Sequence, residues 1–314
     1  MFFRIKFTPF RYNSQLIHYR SIEAFTLAAK AQNDANNKMR ENIIGAIINK
    51  NVPRTYYLTN NRWRALKKEV GQYLDKLIAK DQDQDPDKKD IANDKIKCTH
   101  KAGRGHNYDL LLDVNGTTYP IELKFNARTI AGAPQYVSPM KPSQYLSNSY
   151  EEYYYDTYLS QIAEKAGLPC PSKSDYLKQI HGNAPECMLP FQKLYYKGCK
   201  GSSQCSHNPD DMAFYQFCNR LARESIKTFL ATTELKIADL STYLQETQQG
   251  KIYMLYYQGQ LHLQHAPMED YIIGSVLKTT HNRYECLSKS GKKMKILLRW
   301  KNGNGIAFPA FQIS

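Results

Sequence analysis

The chain has 314 residues, 42% of them hydrophobic, enough to bury a sizeable core in one large domain or two smaller ones. Lysine and arginine number 43 against 29 acids, and the net charge of +14 favours a polyanionic partner, of which nucleic acid is the usual one. No stretch approaches the ~18 uninterrupted apolar residues of a membrane span, and the N-terminus has neither the apolar core nor the cleavage site of a signal peptide. The expectation is a soluble intracellular protein of the cytoplasm, nucleoid or nucleus, not a secreted or membrane one.

Phe3, Ile5 and Phe7 alternate like a strand. The first 22 residues also carry Arg4, Lys6, Arg11 and Arg20 without an acid, a bias shared with organelle transit peptides. From Ile22 to about Lys50 the pattern is helical, broken or continuous near Asn33 to Asn37, with Ile43, Ile44, Ile47 and Ile48 as an apolar stripe and Glu41 just before it. Residues 62–80 form a second, basic amphipathic helix around Leu66, Val70, Leu74, Leu77 and Ile78. The polar "DQDQDPDKKD", 81–90, reads as a connector, and a strand is expected from Lys95 to His100. The loop "HKAGRGHN", 100–107, offers Lys101, Arg104 and His106 as phosphate contacts or as ordinary loop charge.

"YDLLLDVNGTTYPIELKF", 108–125, holds two apolar runs around Asn115-Gly116, a strong signal for a β-hairpin with a type I′ turn. With those two residues as the loop, cross-strand partners sum to 231. Leu110, Leu112, Val114, Tyr119, Ile121, Leu123 and Phe125 then share one apolar face made to pack on helices. Asp109, Asp113, Glu122 and Lys124 share the other. Asp109 is expected opposite Glu122 in a non-hydrogen-bonded pair, with Cα atoms ~4.5 Å apart. Asp113, ~13 Å along the strand from Asp109, belongs to the turn instead.

Asp109 followed by Glu122-Leu123-Lys124 resembles the motif of the PD-(D/E)XK nucleases, the restriction-endonuclease-like superfamily, with Tyr108 where the family has proline. The resemblance covers residues 95 to 140 and is closest to type II restriction endonucleases. It implies an α/β fold, a mixed β-sheet flanked by helices, with additional C-terminal helices and hairpins. It implies that Asp109, Glu122 and the Leu123 backbone carbonyl hold Mg²⁺, for which Mn²⁺ can substitute. Lys124 would prepare a water for phosphodiester hydrolysis, and Glu41 is a candidate third carboxylate from a helix. The ordinary alternative is a solvated hairpin with a Glu122–Lys124 ion pair of little energetic value.

Beyond the hairpin, "TIAGAPQYVSPMKPSQYL" reads as loop, with Gln135 as a candidate DNA contact, and "EEYYYDTYLSQIAEKAG" resumes as helix. Residues 168–208 look irregular, with helices following at about 210–231 and 234–248. "KIYMLYYQGQLHLQH", 251–265, reads as a hairpin around Gln258-Gly259 that extends the first sheet or builds another. The C-terminal "KKMKILLRWKNGNGIAFPAFQIS" is a third hairpin, whose Lys295, Arg299 and Lys301 either line a DNA groove or protect a solvated edge. Seven cysteines are expected to be reduced. Cys199, Cys205, His207 and Cys218 include enough soft ligands for structural Zn²⁺, without the tight CxxC spacing.

Together these readings give a nuclease core over residues 1–166 and a C-terminal elaboration over 167–314, or one compact domain. The expected activity is Mg²⁺-dependent cleavage of double-stranded DNA, site-specific as in type II enzymes. Cutting both strands points to a homodimer. Two alternatives use the same residues: a DNA-binding protein without hydrolysis, and an RNA-processing nuclease.

Overall fold

A computed structural model describes residues 7–26, 33–84, 96–101, 106–130, 139–182, 190, 193–194, 208–265 and 267–314. It is a mixed α/β protein with two compact units: residues 1–134 with 248–266, and 135–247 with 267–314. The two are interleaved along the chain, where either one compact domain or a core over 1–166 with an elaboration over 167–314 was expected. Among the described residues, no helix is long and apolar enough to cross a membrane.

The first unit begins with a small hairpin, β1 (Phe10–Tyr12) and β2 (Gln15–Ile17). A 3-10 segment over Tyr19–Phe25 and helix α1 (Asn33–Ile48) take up the first helical stretch. Helices α2 (Arg54–Thr59) and α3 (Asn61–Gln84) follow, so the expected connector at 81–90 gives its first four residues to α3. Asp and Gln do not break a helix that packing on the preceding turns already holds. The main sheet contains β3 (Ile96–His100), β4 (Leu110–Val114), β5 (Thr117–Phe125), β6 (Ile252–Tyr257) and β7 (Gln260–His265). Their order is β3-β4-β5-β6-β7, with β5 and β6 parallel and the other pairs antiparallel. The 251–265 hairpin thus extends the first sheet.

The counted register holds. Leu110 pairs with Ile121, Leu112 with Tyr119 and Val114 with Thr117, each sum being 231. Asn115 (φ 53°) and Gly116 (φ 87°) both take the positive φ that a type I′ turn requires. The Gly116 N–H donates to Asp113 Oδ1 at 2.8 Å, so Asp113 does cap the turn. The apolar face of the hairpin packs with Ile43, Ile44 and Ile47 of α1 and Trp63, Leu66 and Val70 of α3 in one core.

Asn49, just past α1, fixes that helix to the sheet edge. Its side chain accepts from the Cys98 N–H at 2.7 Å and donates to the Cys98 carbonyl at 2.8 Å, satisfying the backbone of the edge strand β3. The same amide also donates to Tyr12 Oη at 2.9 Å, which brings the first hairpin into the contact.

The second unit contains helix α4 (Tyr150–Tyr154), a π turn over Tyr155–Leu159, α5 (Ser160–Lys165), α6 (Lys173–Gln179), α7 (Pro209–Leu230) and α8 (Ile237–Gln248). Its antiparallel sheet runs β11-β10-β9-β8, with β8 at Ile273–Thr279, β9 at Arg283–Ser288, β10 at Lys293–Trp300 and β11 at Pro309–Ile313. β10 and β11 form the expected C-terminal hairpin.

Replacing Asn49 with Ala removes both partners of a buried Cys98 backbone while leaving the core otherwise filled. At ~1–3 kcal/mol per stranded polar group, N49A is expected to cost about 2–4 kcal/mol in urea unfolding. A loss below about 0.5 kcal/mol would show that the contact does not anchor α1.

Candidate functional site

The hairpin register stops one residue short of Asp109. The Asp109 N–H donates to the Ile121 carbonyl at 2.9 Å, while Leu110 is also partnered with Ile121. Two residues therefore face one, the pattern of a β-bulge, and the expected direct pairing of Asp109 with Glu122 is replaced by a diagonal one. Beyond the bulge β4 no longer offers the Leu123 N–H a carbonyl. Asp109 Oδ2 takes that place, accepting from the Leu123 N–H at 2.8 Å. The N–H and C=O of a strand residue point to the same neighbouring strand. The Leu123 carbonyl therefore turns to the side of Asp109.

Glu122 is 9% exposed and lies between two lysines. Lys124 Nζ is 2.5 Å from Glu122 Oε1, and Lys251 Nζ is 3.4 Å from Oε2. Lys251, itself 7% exposed, precedes β6. The parallel pairing of Ile121 with Ile252 carries it to the site. Sequence reading missed this lysine, because nothing local says which strand lies beside β5.

Glu41 reaches the same place from α1. Its Oε2 is 3.1 Å from His100 Nε2 at the end of β3, and both side chains are largely buried. Its charge is close enough to act on Asp109. Burial is the largest influence on that carboxyl, and the charges of Glu122 and Glu41 add to it. Against the Leu123 N–H and Lys124, these push Asp109 up to about 7. Burial lowers Lys251, and the Glu122 and Asp109 charges oppose that shift.

Three acids, two lysines and a histidine therefore converge where β4 leaves the sheet. The donors that could hold an ion are all oxygen: Asp109, Glu122, Glu41 and the Leu123 carbonyl. Among the described residues, no three His, Cys, Asp or Glu side chains stand close enough to form a ready-made metal cage. Both oxygens of Glu122 face ammonium groups instead.

The remaining candidates scatter. The Lys101 N–H donates to the Asp109 carbonyl at 2.8 Å, which places Lys101 beside the site. His106 is exposed, its ring 5.4 Å from that of Tyr108. Arg104 and Gln135 lie outside the described residues. Lys295, Arg299 and Lys301 belong to the second unit. There Lys293 and Lys295 are exposed on β10 and Arg299 is half-buried, alternating with buried Met294, Ile296, Leu298 and Trp300. Lys301 stands 6.0 Å from the centre of the Phe308 ring. Of the zinc candidates, Cys199, Cys205 and His207 lie outside the described residues. Cys218 is a buried free thiol within α7, its pKa pushed up to about 12 by burial. No protein-family model matches the chain, and neither a curated protein nor a solved structure does.

The raised Asp109 makes a stability prediction. The native state holds this proton up to about pH 7, whereas an unfolded Asp releases it near 3.8. Stability is therefore greatest below pH 4 on this account and falls as pH rises towards 7. Asp109→Asn keeps an acceptor for Leu123 without the charge. At pH 8 this variant is expected to be more stable than the parent by roughly 4 kcal/mol, and at pH 4 the two should nearly coincide. Unfolding curves that differ by the same amount at both pH values would refute the assignment.

Proposed function

We propose that the chain is a Mg²⁺-dependent endodeoxyribonuclease of the restriction-endonuclease-like, PD-(D/E)XK type, acting on double-stranded DNA. The observation that carries this reading is the capture of Asp109 by the Leu123 N–H beside Glu122 and Lys124. It joins all parts of the D…ExK motif within one turn of backbone. The donor set suits Mg²⁺ because it contains only hard oxygen ligands. Burial, and with it the charges of Glu122 and Glu41, raises Asp109, and a divalent cation would favour its ionised form.

When bound, Mg²⁺ supplies positive charge to the scissile phosphate, and Mn²⁺ has the same preference for oxygen. Asp109, Glu122 and the Leu123 carbonyl are the residues that would hold it, with Glu41 completing the set from α1. Lys124 orients the attacking water and donates to the phosphoryl oxygens, and its contact with Glu122 fixes its direction. The resemblance implies products with 5′-phosphate and 3′-hydroxyl ends, and two-strand cutting implies a homodimer. On β10, Lys293, Lys295 and Arg299 share one face and would meet DNA phosphates.

The absence of a ready-made cage among the described residues favours one rival, a DNA-binding protein on this scaffold without hydrolysis. A single assay separates them. Large unmodified DNA is incubated in Mg²⁺ or EDTA, with structured RNA in parallel. Discrete bands only in Mg²⁺ are expected, with E122A and K124A each at least ~100-fold slower while duplex binding persists. An intact DNA sample in Mg²⁺ leaves the binding protein as the reading, and preferential RNA cleavage makes it an RNA-processing enzyme.

The β10 contacts are testable without turnover. Replacing Lys293, Lys295 and Arg299 together by Ala should lower the slope of log K against log salt by up to ~3, about one for each lost phosphate contact. An unchanged slope in a duplex-binding titration would remove this strand from the interface.

A further inference from the structure

Lys251 is buried and absent from the motif. Its ammonium stands 3.4 Å from Glu122 Oε2, the oxygen that Lys124 leaves unclaimed. A desolvated ammonium needs an anion close by. Glu122 and Asp109 are the acids whose charges favour its protonated form, and both are the ones that the nuclease reading assigns to a divalent cation. The same oxygen therefore has two claimants.

They cannot share it without cost. A monovalent and a divalent cation ~5 Å apart repel by several kcal/mol even at an effective dielectric constant of 20. When a cation takes Glu122, the Lys251 ammonium must turn to another anion. A phosphodiester group lying over the site is an anion of the right kind at the right place, and a lysine has the reach and the rotatable donors to meet it.

We propose that Lys251 is a built-in competitor for the divalent cation, a positioning residue that passes from Glu122 to a nucleic-acid phosphate when the cation binds. This rests on the nuclease reading and adds to it a coupling between two ligands. Without DNA, Lys251 weakens cation binding; with DNA, its ammonium has somewhere to go, and the cation binds more tightly. Linkage makes the effect reciprocal, so the cation strengthens duplex binding by the same factor. A lysine that only neutralises Glu122 for the sake of the fold would produce no such coupling.

Calorimetric titration of Ca²⁺, a hard oxygen-seeking ion, tests this without reference to turnover. The full-length parent protein, K251M, K251R and E122Q are each titrated with and without a short DNA duplex. The parent and K251R should bind Ca²⁺ ~10-fold more tightly when duplex is present. K251M should bind it ~10-fold more tightly than the parent without duplex and gain little from adding it. Equal or weaker Ca²⁺ binding by K251M, or a parent affinity indifferent to DNA, overturns the proposal. The parent and K251R titrations decide the matter if K251M does not fold. A parent that binds no Ca²⁺, or binds it as well after E122Q, overturns the nuclease reading itself. If E122Q abolishes Ca²⁺ binding and K251M changes nothing, only the role of Lys251 falls.

Discussion

A backbone donor left without its strand partner determines where the acids sit. β5 continues to Phe125, but β4 pairs with it only as far as Leu110, so the Leu123 N–H faces a gap in the ladder. A buried N–H must find an acceptor. The Asp109 carboxylate fills the gap at 2.8 Å, and the bulge that shifts Asp109 onto Ile121 gives it the reach to do so. One hydrogen bond thus ties the acid to the strand that carries Glu122 and Lys124. β6 completes the support of β5 from its other side, from Ile121 to Phe125.

Charge is then gathered from distant parts of the chain onto that point. α1 delivers Glu41, β3 delivers His100 and the start of β6 delivers Lys251. Asn49 is the mechanical link for the first of these. It clamps the end of α1 to Cys98, and Glu41 lies eight residues earlier, about two turns of helix, against His100. Such a site is not optimised for stability. Burial first, and then the charges of Glu122 and Glu41, raise Asp109, and functional sites commonly accept that kind of cost.

The legible part of this design is the part with local rules. Asn115-Gly116 permits positive φ at both turn positions, and period-two alternation selects the buried face, so the register from 110 to 121 follows from counting. Asp113 as turn cap follows from the same count. The bulge at Asp109 carries no mark of its own, because no residue type or local period signals it. Lys251 was equally invisible. Its place depends on a parallel pairing between Ile121 and Ile252, and parallel neighbours are joined by long connections that no local pattern specifies. Glu41 lies between these cases: its position before the isoleucine stripe places it on the helix, but the shared core and the Asn49 clamp, both tertiary contacts, set that helix against β3. β8 shows no alternation in the sequence because its two register shifts against β9 insert extra residues that break the period by which a strand is recognised.

The two principal acids are compensated unequally. Glu122 has an ammonium at each oxygen, whereas the hydrogen bond that Asp109 accepts at Oδ2 comes from a neutral backbone amide. A backbone amide carries no net charge to set against the carboxylate, and the ammonium groups whose fields favour an ionised Asp109, Lys124 and Lys251, both stand closer to Glu122. Asp109 is therefore the acid with the most to gain from an added cation, and Glu122 the acid with the most to give up. Any ion entering between them would be drawn in by the first and resisted by the partners of the second. On the proposed reading, the affinity for such an ion would turn on the lysines, which act on the electrostatics of the carboxylates and not as ligands.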